Sequence, residues 1–291
     1  MRLRRTLALW LLAAPCGALS AQADSAVLTR QVEIIRTTTG VPHIRAENLR
    51  AAGYALGWLM AEDYGPRTAM GILRSSGRMG LVFGRDSIAS DFLARIAHAQ
   101  AVEHYVKLQP ETRDMYEGFA AGLNRYITLH RDEYPAAMPT DFTGYDLLAD
   151  DMGGPSYGPV RRLLTALDPR QFPPEPRRPG ASANEGDADA ALDNVGSNAW
   201  AFAPSRTKSG KAILLRNPHL AWTSGYYEAQ VTVPGVMDFY GDFRIGGPLT
   251  LIGGFNKDLG WSTTNNAQRL YEFYALAADS QQADHYLIDG T

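Results

Sequence analysis

The apolar positions change rhythm three times along the chain. Early on, "QVEIIRTTTGVPHIRAE" gives two short extended runs around the turn "TTTGVP", which predicts a hairpin. From Leu49 the apolar spacing becomes three and four. "LRAAGYALGWLMAEDYGPRTAMGILRSSG" therefore predicts two helices, broken at Gly65-Pro66. "PETRDMYEGFAAGLNRYITLHRD" predicts a further amphipathic helix with Met115, Phe119, Leu123 and Tyr126 on one stripe. The first half thus reads as a helical layer with one hairpin. From about Asp168 the rhythm stops. "DPRQFPPEPRRPGASANEGDADAALDN" carries five prolines and almost nothing to bury, which predicts a flexible, protease-accessible linker. Beyond Gly196 the pattern is that of β-structure. "NAWAFAPS" and "KAILLRN" flank the turn "RTKSGK" as a hairpin. "YYEAQVTV", "VMDFYGDF", "PLTLIGGFN" and "LGWSTTNN" follow as strands, and the chain stops within "YLIDGT" as if part of something longer.

Composition narrows the classes. The chain has 291 residues, of which 45% are hydrophobic and 20% charged, so a sizeable core is available. A net charge of −3 with no basic run gives no electrostatic case for nucleic acid. Residues 1–23 read as a secretory signal: Arg2, Arg4 and Arg5, the apolar run "TLALWLLAAPCGALS", then "AQA". That run is too short to span a membrane, which takes about 20 residues. Cys16 is the only cysteine and would leave with the signal. The mature chain then has no disulfide and no cysteine nucleophile, which fits a bacterial periplasmic or secreted enzyme better than a small stapled module.

The serine and lysine motifs narrow the chemistry. "GSNAW" lacks the second glycine of a nucleophile elbow. "SRTK" (Ser205 to Lys208) lies in a turn rather than opening a helix, so Lys208 and Lys211 read as solvated charges. No His/Glu pattern points to zinc. What remains is Gly196-Ser197, at the seam between linker and strand. A serine that begins a chain carries its own base in the freed α-amine, whose unperturbed pKa is about 7.7–8.0. Freeing it requires scission before Ser197. Gly196, lacking Cβ, could hold a strained conformation that opens its carbonyl to the Ser197 hydroxyl. The plainer alternative is a Gly-Ser that merely enters a strand behind an ordinary tether. His219 lies at the far end of the hairpin that Ser197 opens, and a hairpin brings its ends together. "FNKDLGWSTTNN" would close another hairpin of the same sheet, its last amides facing the same crevice as an oxyanion hole.

With "TTTGVPHIRAE", "GYALGWLMAED", "GSNAWA", "NPHLAW" and "LGWSTTN" in this order, the chain resembles the penicillin acylase family of N-terminal nucleophile hydrolases. The resemblance is to the branch of acyl-homoserine lactone, aculeacin-type and cephalosporin acylases. It implies an α+β fold, a four-layer αββα sandwich of which this chain is an N-terminal part. It also implies a precursor: residues 24–167 in an α chain, 168–196 a removed spacer, and 197–291 the start of a β chain. Ser197 would be nucleophile and its α-amine the base, with His219 bordering them. A backbone oxyanion donor falls on Asn265 or its neighbour Asn266. Amide hydrolysis of N-acyl compounds is implied, N-acyl-homoserine lactones first and penicillins or cephalosporins second. A non-catalytic periplasmic protein on the same fold stays open. Trp222, Trp200 and Phe255 could wall an acyl pocket or belong to the core. No cofactor is required; the calcium positions of the penicillin-cleaving members fall on Arg269 and Glu272, and the basic residue argues against the ion. Partners are the small substrate and the two chains of the one precursor, with no nucleic acid and no membrane once the signal is gone.

Overall fold

The computed structural model describes residues 25–153, 158–171, 196–220, 226–264, 272–282 and 285–288. The signal segment, most of the linker, Trp222, Asn265, Asn266 and Arg269 lie outside them. By proximity of Cα atoms the chain forms two compact units: Met1–Gly154 with Ala221–Thr263, and Pro155–Leu220 with Thr264–Thr291. Compactness therefore does not follow chain order, because the first unit joins segments from both sides of the linker.

The first unit is a helical layer on a sheet. The expected hairpin forms as β1 (Val32–Arg36) and β2 (Pro42–Ala46). Helix α1 (Leu49–Tyr64) starts on Asn48, whose side chain accepts from the Ala51 N–H. It stops at Gly65, with φ +54°, and Pro66 opens α2 (Pro66–Ser75), as the Gly-Pro pair predicts. A short α3 (Met79–Phe83) and an 18-residue α4 (Ile88–Tyr105) follow. Then come α5 (Pro110–Leu129) and α6 (Gly144–Met152), the latter begun by a Thr143/Asp146 capping box. On α5 the predicted stripe is fully inside: Met115, Phe119, Leu123 and Tyr126 are all buried. Helices α3, α4 and α6 carried no sequence prediction.

Strands β5 (Tyr226–Val233), β6 (Met237–Arg244), β7 (Leu251–Phe255) and β8 (Gly260–Ser262) complete a sheet of order β1-β2-β5-β6-β7-β8. The β2–β5 pair is parallel, with Ile44 opposite Val231, and the other pairs are antiparallel. Alternation places Tyr227, Ala229, Val231, Phe239 and Phe243 in the core. Glu228, Asp238 and Tyr240 take the other face.

Polar ties hold the post-linker strands to the helical layer. Arg244 on β6 pairs with both Asp150 (2.6 Å) and Asp151 (2.5 Å) at the end of α6. Tyr116 and Thr250 hydroxyls also donate to Asp151, at 2.6 and 2.8 Å. Tyr227 donates to Asp63 at 2.8 Å, and Asp63 is also paired with Arg36. Burial, then the carboxylate partners, push the hydroxyls of Tyr116 and Tyr227 far above the usual tyrosine range, so both remain donors. Arg244→Ala leaves two largely buried carboxylates without their cation. It should cost about 3 kcal/mol or more, read as a lower urea midpoint with unchanged m.

In the second unit, α7 (Gly158–Leu167) precedes the linker, and β3 (Ser197–Phe202) pairs with β4 (Ile213–Pro218) as a two-stranded sheet. The predicted hairpin is present, with Pro204–Arg206 as a single 3-10 turn and Lys208 and Lys211 exposed. Its sheet partner is not as expected. The "LGWS" strand is β8 of the six-stranded sheet, whereas β3 and β4 pair only with each other among the described residues. Local patterning marks strands but not which ladder each joins. Short strands β9 (Ala277–Ala278) and β10 (Tyr286–Leu287) form a further pair.

Candidate functional site

The site is built on the open end of the β3–β4 hairpin. Ladder partners run from Phe202↔Ile213 through Asn198↔Asn217 to Ser197↔Pro218, so the next rung joins Gly196 to His219. That rung is made: the His219 N–H donates to the Gly196 carbonyl oxygen at 3.1 Å. The Ser197 hydroxyl donates to the same oxygen at 2.6 Å. The expectation that the hairpin brings His219 beside the Gly-Ser junction is met through the backbone. The His219 ring borders the junction too, its Nδ1 lying 3.9 Å from where a Gly196 side chain would begin.

Antiparallel rungs alternate between hydrogen-bonded and non-bonded pairs. With Gly196/His219 bonded, Ser197/Pro218 is the non-bonded rung, where Ser197 turns its N–H and C=O away from β4. Proline is tolerated at 218 because that rung asks for no N–H. The Ser197 carbonyl is instead met by the Thr264 hydroxyl at 3.4 Å. Thr264 directly precedes Asn265. The described part of that segment therefore does reach Ser197, although Asn265 itself lies outside the described residues.

At Gly196 a Cβ would meet nothing closer than His219 Nδ1, at 3.9 Å. With that space free, Gly196→Ala should fold normally and lose no more than about 0.5 kcal/mol of stability, read by thermal melting.

The two remaining pocket residues that can be placed are not core. Trp200 is 44% and Phe255 52% exposed, and Phe255 packs against Tyr240 with ring centres 5.4 Å apart. Glu272 is exposed and accepts from the Tyr274 hydroxyl. Among the described residues, no three His, Cys, Asp or Glu side chains converge as metal ligands. Two neighbours went unread in the sequence. Thr264 is one. Asn217 is the other: its side-chain nitrogen lies 3.3 Å from His219 Nε2. Strand alternation, which puts residues 217 and 219 on one face, was the available signal for it.

These features define an α+β protein in which a serine-opened hairpin follows a long polar segment. The chain belongs to the penicillin amidase family, whose model matches residues 31–291. It is similar to the acyl-homoserine lactone acylase PvdQ of Pseudomonas fluorescens, at 35% identity over 94% of this chain and 38% of the relative. It is also similar to the aculeacin-A acylase of Actinoplanes utahensis, at 27% identity over 88% of this chain and 36% of the relative. A solved thermostable penicillin G acylase from Alcaligenes faecalis matches at 20% identity and a TM-score of 0.35, over 52% of this chain and 96% of that one. The chain spans little more than a third of the length of the curated relatives it matches.

Proposed function

We propose that this chain is the N-terminal part of a self-processing serine amidohydrolase that cleaves the amide of N-acyl compounds, with N-acyl-homoserine lactones as the preferred class. The observation that carries the reading is the Ser197 hydroxyl lying 2.6 Å from the carbonyl oxygen of the peptide before it. Family membership and the similarity to an acyl-homoserine lactone acylase support the substrate class. Scission before Ser197 frees an α-amine, which takes the proton of the Ser197 hydroxyl as that oxygen attacks the substrate carbonyl. An acyl-enzyme ester forms, the amine of the leaving group departs, and water releases the acid. Asn265 is proposed to supply a backbone donor to the oxyanion. The protein is proposed to act in the periplasm or outside the cell, after removal of residues 1–23.

The two pieces would stay together after scission. The β2–β5 pairing and the ion pairs from Arg244 join residues on opposite sides of the cut. Incubating the full-length protein with a long-chain acyl-homoserine lactone and with a glutaryl cephalosporin tests the substrate class. Release of homoserine lactone is expected; release only from the cephalosporin moves the assignment to that branch, and turnover of neither sinks the acylase reading. Because the base is an α-amine, kcat/KM should fall about tenfold per pH unit below roughly 7.7 and level off above it. A profile that is flat from pH 5 to 9 would contradict that base.

A further inference from the structure

The Gly196 carbonyl oxygen accepts two hydrogen bonds, and they have different fates when the peptide is cut. One comes from the Ser197 hydroxyl at 2.6 Å and the other from the His219 N–H at 3.1 Å. The hydroxyl must abandon the oxygen to attack the neighbouring carbon. The N–H does not move. As the carbonyl becomes tetrahedral, its oxygen gains negative charge, and a donor already fixed on it strengthens with no reorganisation. We infer that the backbone N–H of His219 is the oxyanion donor for scission of the Gly196–Ser197 peptide. This is a site distinct from the one at Asn265 proposed for amide substrates. The inference rests on the self-processing reading above.

The chemistry balances within the chain and one water. The Ser197 Oγ–H bond breaks as Oγ bonds to the Gly196 carbonyl carbon, giving a tetrahedral centre whose oxyanion faces His219. The bond from that carbon to the Ser197 nitrogen then breaks, and the nitrogen takes the proton, leaving an ester and a free amine. Water hydrolyses the ester to a Gly196 carboxylic acid and restores the Ser197 hydroxyl.

The rung pattern favours this sequence of events. Ser197 stands on the non-bonded rung, opposite Pro218, so the ladder makes no use of its N–H. The nitrogen that must leave as an amine is therefore not held by β4, while the carbonyl that must stay is held. A hairpin shifted by one residue would reverse both relations. It would tie up the leaving nitrogen and release the carbonyl.

The test replaces His219 in the full-length precursor with L-β-imidazolelactic acid, installed by semisynthesis. The ring is kept and only the N–H becomes an ester oxygen. The same amide-to-ester change at Lys208, in the exposed turn, controls for the chemistry. Scission is followed by intact mass. The substitution at 219 should slow scission by about 10²-fold or more, and the one at 208 should leave it unchanged. A scission rate at 219 equal to that of the control overturns the inference and leaves self-processing standing. A wild-type chain that never cuts removes both. A second readout does not require scission: in an uncut Ser197→Ala chain labelled with ¹³C at the Gly196 carbonyl, the ester at 219 should raise the carbonyl stretching frequency. An unchanged frequency also overturns the inference.

Discussion

Ser197→Ala is expected to leave the peptide between residues 196 and 197 uncut and to abolish amide hydrolysis. On the account above one oxygen serves twice, first on the Gly196 carbonyl that it already touches at 2.6 Å, then on the substrate. Alanine removes both reactions and also the generation of the base, since no α-amine is freed. Loss of a hydrolase nucleophile costs roughly 10⁶-fold in kcat where it has been dissected, and no smaller effect is expected here. Ser197→Cys offers the contrast. A thiol can make the same acyl shift, so scission should persist while amide turnover drops. Gly196→Ala should also be cut, because a methyl group fits beside His219. Intact mass and homoserine-lactone release separate the three variants. An alanine variant that is cut at the wild-type rate would remove Ser197 from the processing step.

The second large effect concerns the scaffold. Helices α1 and α5 cross at a seam of four glycines. A Cβ on Gly53 or Gly57 would come within 2.3 and 2.2 Å of the Met115 and Phe119 carbonyl oxygens. Added to Gly118 or Gly122, it would lie 2.0 and 2.1 Å from those of Arg50 and Tyr54. The obstacle each time is backbone, which cannot swing aside as a side chain would. Even Gly118→Ala must therefore push the helices apart and loosen the contacts of Tyr54, Phe119 and Leu123, all buried beside the seam. The expected loss is about 3 kcal/mol or more, a large share of the roughly 5–15 kcal/mol that keeps a native protein folded. Soluble yield and thermal melting check this, and a variant that melts like wild type would contradict the seam. Helix propensity alone would say the opposite, since alanine is the better helix former by about 1 kcal/mol.

That reversal shows what a linear reading can see. The two extended runs that become β1 and β2, the Gly-Pro break between α1 and α2, and the apolar stripe of α5 are local signals, and each appears where the sequence predicts. Helix α4 is the opposite case. Its buried positions are Asp91, Ala97, Ala101 and Tyr105, while Phe92 and Ile96 are 67% and 48% exposed. The apolar spacing therefore does not mark the inward face. The seam glycines look like helix-weakening residues until the partner helix is known. The parallel β2–β5 ladder joins strands on opposite sides of the linker, and no local pattern announces it. At the site, the Gly-Ser junction and the nearness of His219 were legible from hairpin logic. The hydrogen bond from the His219 N–H to the Gly196 carbonyl was not, because the sequence does not say which rungs of a hairpin are bonded. Thr264 and Asn217 join the site by tertiary and cross-face contacts, which single-residue chemistry does not reveal.

The central claim is that the chain is cut between Gly196 and Ser197. The most direct measurement is the N-terminal sequence of every polypeptide in the purified full-length product, with intact masses alongside. The account predicts two chains that co-purify under native conditions and part in denaturant, the second beginning Ser-Asn-Ala-Trp. A single chain with residues 196 and 197 still joined, or a second chain beginning at any other residue, would contradict it.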